Sequence, residues 1–309
     1  MPLDPRVKRF LGLLAAGNPP NAREATVEER RAGLSALMKF GGSPSAVEHV
    51  EERQVPGAAG ALRARVYSPD HSKKGPGLIY FHGGGLVAGD LDTHDIIARA
   101  LANCGTVRVV AVDYRLAPEH RFPAALDDAS AAVRHISENA AEFGIDEERL
   151  GICGDSAGAT LAAAAAQSAA RTARPALKLQ LLLCPILDYS RITASKREFS
   201  SGYLVDQGTL DHDLMHYLPA GTDASNPRVS PLLAEDVAGL PPTRIHTAEF
   251  DPLRDEGRSY FERLTHAGND VSYTCHPGMI HLFYGLGAVI PYARTAFEQI
   301  GGEIRAALA

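Results

Sequence analysis

Leu150-Gly151-Ile152-Cys153-Gly154-Asp155-Ser156-Ala157-Gly158-Ala159-Thr160-Leu161 is the stretch on which the reading of the fold turns. It opens with the short apolar run Leu150 to Cys153, which reads as a strand. From Ala157 to Ala170 the residues are rich in alanine and read as a helix. Between them stands Gly154-Asp155-Ser156-Ala157-Gly158, a G-x-S-x-G. A strand that passes into a helix through so tight a turn leaves room only for small residues beside the serine. The turn lifts the hydroxyl above the strand ends, at a helix N-terminus, where the dipole and unpaired N–H groups favour developing negative charge. By itself the pattern is weak, with about 0.15 chance matches expected at this composition. Its strand–turn–helix setting makes Ser156 a candidate nucleophile.

Outward from this turn, strands and helices alternate. Upstream lie the strand Leu78 to Phe81, a helix over Thr93 to Cys104, the apolar strand Val107 to Val112 and a helix over Phe122 to Glu142. Downstream lie strands at Leu177 to Cys184, Arg244 to Ala248 and Val271 to Cys275. Helices cover Glu256 to Ala267 and Tyr292 to Leu308. This order predicts an α/β fold whose mostly parallel sheet carries helices on both faces. Val47 to Val55 and Leu62 to Tyr67, joined by Pro56-Gly57-Ala58-Ala59-Gly60, read as a hairpin forming an antiparallel edge. Two segments stay outside the alternation. Residues 1–45 are polar and helical in pattern, broken at Asn18-Pro19-Pro20-Asn21, with Val7, Phe10, Leu11 and Leu14 at helical spacing. Residues 187–241 hold no convincing sheet strand, and loops so long are usually functional or carry structure of their own. The expected division is 1–45 and 187–241 as two parts of a helical cap, and 46–186 and 242–309 as two parts of the core.

Composition narrows the function. The 309 residues are 45% hydrophobic and 22% charged, with a net charge of −6, which argues against disorder and against binding nucleic acid through a basic field. No run reaches the length of a membrane span; Leu282 to Ala293 is interrupted by glycines and Pro291. Cys104, Cys153, Cys184 and Cys275 form no Cys-x-x-Cys pair or zinc spacing and read as buried free thiols suited to a reducing cytoplasm.

Two further motifs bear on chemistry. His82-Gly83-Gly84-Gly85 directly follows the strand Leu78 to Phe81. Three glycines let backbone N–H groups point into a site without Cβ obstruction, and such donors stabilise an oxyanion. His82 itself reads as structural, because in this fold the histidine is expected after the serine and the acid. Beyond Ala248 come Asp251 and Asp255, and beyond Cys275 come His276 and His281. Asp251 lies where a side chain reaches the sheet edge, Asp255 reads as a helix cap, and Asp188 is a rival acid. His281 sits in a loop past Pro277 and Gly278, whereas His276 abuts the strand. Ser156, Asp251 and His281 are therefore the expected triad.

Together with Asp113-Tyr114-Arg115-Leu116-Ala117-Pro118-Glu119, Phe122-Pro123-Ala124-Ala125 and Asp251-Pro252-Leu253-Arg254-Asp255, these motifs span residues 78–284. In this combination the sequence resembles the hormone-sensitive-lipase-like family of α/β-hydrolase esterases (bacterial family IV, GDSAG branch). The resemblance implies a cofactor-free and metal-free serine carboxylesterase acting on small, short-acyl esters. It implies Ser156 as nucleophile, His281 as acid/base, Asp251 as its orienting carboxylate, and oxyanion donors at Gly84, Gly85 and Ala157. It also implies structural roles for Arg115 and Glu119. Leu86 and Leu282 depart from common family residues. With Leu204, Leu214 and Tyr217 of the cap, they are the candidate substrate-binding positions. An amidase or peptidase using the same triad, and a non-catalytic ligand-binding member of the fold, stay open. So do the exact substrate and a homodimer.

Overall fold

The computed structural model describes residues 2–17, 22–71 and 74–309. The breaker at Asn18 to Asn21 lies outside the described residues. Among the described residues, eight strands form one sheet: β1 (His49–Pro56), β2 (Ala61–Ser68), β3 (Gly75–Phe81), β4 (Arg108–Val112), β5 (Ile145–Asp155), β6 (Leu179–Leu183), β7 (Thr243–Phe250) and β8 (Val271–Ile280). Their spatial order is β1-β2-β4-β3-β5-β6-β7-β8. The β1–β2 and β2–β4 pairs are antiparallel, and every other pair is parallel. The expected antiparallel edge is therefore present. Pro56 belongs to β1, opposite Ala61, so the hairpin loop is four residues, closed by Gly57 N–H donating to Gly60 O at 2.7 Å.

Strand periodicity sorts the core into two layers. On β3, Ile79 and Phe81 face one cluster, with α4 (Ala124–Glu138), α5 (Ala157–Thr172) and α8 (Arg254–His266). Leu78 and Tyr80 face the other, with α3 (Asp95–Gly105) and α9 (Tyr292–Ala307). All five residues of β4 are buried, as expected of a parallel strand covered on both faces.

Four helices of the described residues stand apart from this alternation: α1 (Pro5–Ala16), α2 (Val27–Met38), α6 (Ala194–Glu198) and α7 (Gln207–Tyr217). Asp4 caps α1, accepting from Arg6 N–H at 2.8 Å, and Pro5 fills a first-turn position where a missing N–H costs nothing. Val7 and Phe10 are buried, with Phe10 edge-on to Phe40, while Leu11 and Leu14 are half-buried. Thr26 and Glu29 form a reciprocal capping box at the start of α2.

Two expectations need correction. Cys153 and Cys184 are buried, but Cys104 and Cys275 are only half-buried; all four are free. And β8 does not stop at Cys275. It continues through Pro277 and Gly278 to Ile280, with a bulge against β7 between Ala248 and Phe250. Gly278 supplies the positive φ of 71° that the irregularity needs. A proline–glycine pair reads as a strand end in sequence, but here it bends the strand and delivers the residue after Ile280 to the sheet edge. No described helix is long and apolar enough to cross a membrane.

Candidate active site

Ser156 joins β5 to α5 with φ 52° and ψ −120°, a conformation sparsely populated by residues with a Cβ. Its surroundings impose this geometry. Ser156 N–H donates to Leu183 O at 2.8 Å, and Ser156 O accepts from Ala159 and Ile186. A Cβ on Gly154 would overlap the Gly158 carbonyl, and one on Gly158 would overlap the carbonyls of Phe81 and His82. Small residues are therefore required on both sides of the serine.

Asp251 follows β7 and is fully buried; His281 follows β8 and is 3% exposed. The Asp251 Oδ2 lies 2.8 Å from His281 Nδ1, and His281 Nε2 lies 3.0 Å from Ser156 Oγ. Asp251 Oδ1 accepts the Leu253 N–H at 2.8 Å, which fixes the carboxylate. Burial alone lowers the His281 pKa, but the Asp251 charge and hydrogen bond outweigh it, and the net value is raised above 6.5. The structure thus brings Ser156, Asp251 and His281 into one hydrogen-bonded chain.

The other acids and histidines are occupied elsewhere. Asp188 accepts from Ser190 N–H and Oγ at 2.8 and 2.6 Å, and Asp255 accepts the Ser195 N–H at 2.7 Å. His276 lies inside β8, with Nε2 3.1 Å from His246 Nδ1; burial and the neighbouring imidazole lower its pKa to about 3. His82 is stacked on Tyr114, whose hydroxyl donates to His82 O at 2.6 Å, and burial lowers its pKa to about 4.

Beside Ser156, Gly84 and Gly85 have φ values of 117° and 69°. The Gly84 carbonyl is turned back to accept from Ala88 N–H at 2.9 Å. Among the described residues, the N–H groups of Gly84, Gly85 and Ala157 have no protein acceptor. Asp155, given no role in the sequence reading, ties this loop to the turn. Its Oδ1 accepts from Tyr80 OH at 2.5 Å and Gly83 N–H at 2.9 Å.

The candidate substrate positions diverge. Leu86 and Leu282 are buried and both left-handed, with φ 63° and 60°, flanking the glycine loop and His281. Leu204 and Leu214 are half-buried. Tyr217 is 1% exposed, with its ring taken up by Phe122 and Tyr189, so it packs α7 against the core rather than lining open space. Sequence reasoning missed Arg30 on α2 and Asp213 on α7. They form a nearly buried two-bond ion pair, Nε–Oδ1 3.1 Å and Nη2–Oδ2 2.8 Å, with the carboxylate against Gly85. Charges on separate helices carry no sequence signal of such pairing. Arg115, in contrast, holds Asp128 as a structural pair, and Glu119 takes two bonds from Arg31.

Among the described residues, one group of three has metal-like spacing: the Cys184 thiol, Asp251 and His281, within 4.8 Å. Two of its members are already bonded to each other, and burial followed by the Asp251 charge pushes the thiol pKa up, so this is a hydrogen-bonded Asp251–His281 pair with a neutral thiol beside it. A surface groove of about 870 Å³ between α4 and α5, lined by Arg134, Ser168 and Arg174, contains no member of the triad.

Known proteins share this architecture. A family model described as the alpha/beta hydrolase fold matches residues 78–285. The carboxylesterase NlhH of Mycobacterium tuberculosis is 42% identical over 80% of this chain and 79% of its own. An ethyl acetate hydrolase of Pseudomonas putida is 37% identical over 97% and 98% of the two chains. An ester hydrolase from the Lake Arreo metagenome, solved with a bipyridine phosphonate derivative, superposes with a TM-score of 0.94 at 39% identity, covering 98% of both chains. The sheet order, the turn at Ser156 and these matches agree, and the chain belongs to the α/β-hydrolase fold family, in its hormone-sensitive-lipase-like branch.

Proposed function

We propose that the protein is a serine carboxylesterase for small, short-acyl esters. The observation that carries this reading is the chain Asp251–His281–Ser156 beside three unspent amide donors. Ser156 Oγ attacks the ester carbonyl while His281 Nε2 takes its proton. Asp251 holds the Nδ1–H tautomer and stabilises the imidazolium. The N–H groups of Gly84, Gly85 and Ala157 hold the oxyanion. His281 then gives its proton to the departing alcohol. A water, deprotonated by the same nitrogen, attacks the acyl-enzyme, and Ser156 leaves with the proton.

Helices α1 and α2 and residues 187–241 make the cap over this site. Arg30–Asp213 and Arg23–Asp211 link the two parts, which supports the division. Esterase names among relatives at 37–42% identity support ester over amide substrates. The free thiols support a cytoplasmic location, and sedimentation would distinguish a monomer from a homodimer.

The test is Ser156→Ala, assayed with a p-nitrophenyl ester series, matching anilides and a fluorophosphonate. Loss of labelling with a fall in kcat of about 10⁵–10⁶ is expected for a lost nucleophile. Persistent labelling, or anilides turned over faster than esters, would overturn the assignment.

A further inference from the structure

Asp213 occupies an unusual place for a carboxylate. It projects from α7 onto the loop that carries the proposed oxyanion donors, so close that a Cβ on Gly85 would overlap its Oδ2. Glycine at 85 is thus required by this neighbour as well as by its φ. A negative charge here opposes the oxyanion that the neighbouring amides are to hold. The opposition is cancelled locally. Arg30 donates Nε–H to Oδ1 and Nη2–H to Oδ2. His212 donates Nε2–H to Ala25 O and brings Nδ1 to 3.1 Å from Oδ1. Both partners come from the helices above the site.

The two oxygens of Asp213 are unequally used. Oδ1 faces Arg30 Nε and His212 Nδ1, whereas Oδ2, the atom nearest Gly85, takes one donor among the described residues, Arg30 Nη2. A carboxylate accepts about four hydrogen bonds in all. Oδ2 therefore keeps acceptor capacity beside Gly85, one of the proposed oxyanion donors. A plain alkyl chain entering that space strips water from Oδ2 and returns nothing. A chain carrying a hydroxyl restores the bond.

We propose that Asp213, neutralised by Arg30, is the specificity-determining residue of the site, selecting short esters that bear a hydroxyl close to the carbonyl over plain alkyl esters. This rests on the esterase reading above and names its substrate class. Arg30 acts through Asp213 and is a positioning residue.

The test compares ethyl 3-hydroxybutyrate with ethyl butyrate, each rate divided by its uncatalysed alkaline hydrolysis. The wild-type protein is expected to favour the hydroxy ester by about tenfold to a hundredfold in kcat/KM, the usual effect of an unsatisfied buried acceptor. The apolar pair Arg30→Met with Asp213→Leu should reverse the order. Asp213→Asn, nearly isosteric, should shrink the preference and serves if the double variant fails to fold. Arg30→Ala alone leaves the carboxylate beside the oxyanion without its guanidinium, with His212 as its remaining partner. It should lower kcat on both esters by about tenfold or more, with part regained on adding Asp213→Asn. Mere cap anchoring predicts instead that the second substitution only adds damage. An unchanged substrate ratio in folded Asp213→Asn, or no wild-type preference, overturns the selection. If the wild-type protein hydrolyses neither ester and no phosphonate labels Ser156, the esterase reading itself fails.

Discussion

Replacing Ser156 with glycine separates backbone strain from chemistry. The serine holds φ 52° and ψ −120°, and such sparsely populated conformations cost about 1–3 kcal/mol when a Cβ is present. Glycine adopts them freely but loses more chain entropy on folding, about 0.5–1 kcal/mol. Ser156→Ala and Ser156→Gly both lose Oγ and its 3.0 Å contact with His281, so comparing them cancels that loss. The glycine variant should therefore exceed the alanine variant in stability by about 1 kcal/mol, and by at most about 2.5 kcal/mol, from strain relieved minus entropy lost. For a chain of this size that is a Tm difference of about 1–4 °C. Both variants should be inactive. Urea titrations and thermal scans of the two, run side by side, give the answer. A glycine variant that melts at or below the alanine variant would refute the claim that the turn stores strain.

Other perturbations have equally definite outcomes. Asp251→Asn should lower kcat by about 10⁴ by favouring the wrong imidazole tautomer. Because the Asp251 charge helps raise the His281 pKa, wild-type activity should fall as pH drops through a value above 6.5, and Asp251→Asn should move that limb to lower pH; coincident limbs in kcat/KM profiles would count against His281 as base. His276 is held neutral, with a folded pKa of about 3 against 6.5 unfolded. Its contribution to stability is complete above pH 6.5 and is lost as pH falls from 6.5 toward 3, at no more than about 1.36 kcal/mol per pH unit. His276→Gln should flatten that part of a stability–pH curve measured by urea unfolding. Arg31→Ala removes bonds to Val87 O, Ala117 O and Glu119 and should cost about 1–2 kcal/mol, with proteolysis beginning in α2; unchanged protease sensitivity would rule out Arg31 as a pin.

The centre of the site was legible because its chemistry forces residue types. Glycine at 84, 85, 154 and 158 answers to positive φ or to backbone contact, so it marks the turns in the sequence itself. Asp251 and His281 were found by their distance past strand ends. The His281 reading placed it in a loop, and it stands in the turn just past β8; what that reading missed is that β8 runs on through Pro277 and Gly278 to reach it, because proline and glycine signal a break even when a bulge lets the strand continue. Asp155 lay in plain view in the central motif and carried no signal of its own. Its bonds to Tyr80 and Gly83 depend on strands β3 and β5 lying side by side, with Phe81 opposite Gly154.

The charge pair against Gly85 was hidden for a different reason. Glu28, Glu29, Arg30 and Arg31 are four consecutive charges in a segment that the sequence marks only as polar and helical in pattern. Successive helix positions point about 100° apart, so the four cannot share a fate. Glu29 turns back to the N-terminus of α2 and closes the capping box through the Thr26 N–H at 2.8 Å. Arg31 reaches the core, spending its donors on two carbonyls and Glu119. Arg30 turns inward to Asp213, 183 residues later, while the neighbouring Arg23–Asp211 pair stays exposed. Exposed pairs of that kind contribute about 0–1 kcal/mol and tolerate substitution, whereas a desolvated pair is costly to break on one side only. Of the charges that join the two helices, the pair over Gly85 is therefore the one whose halves must change together.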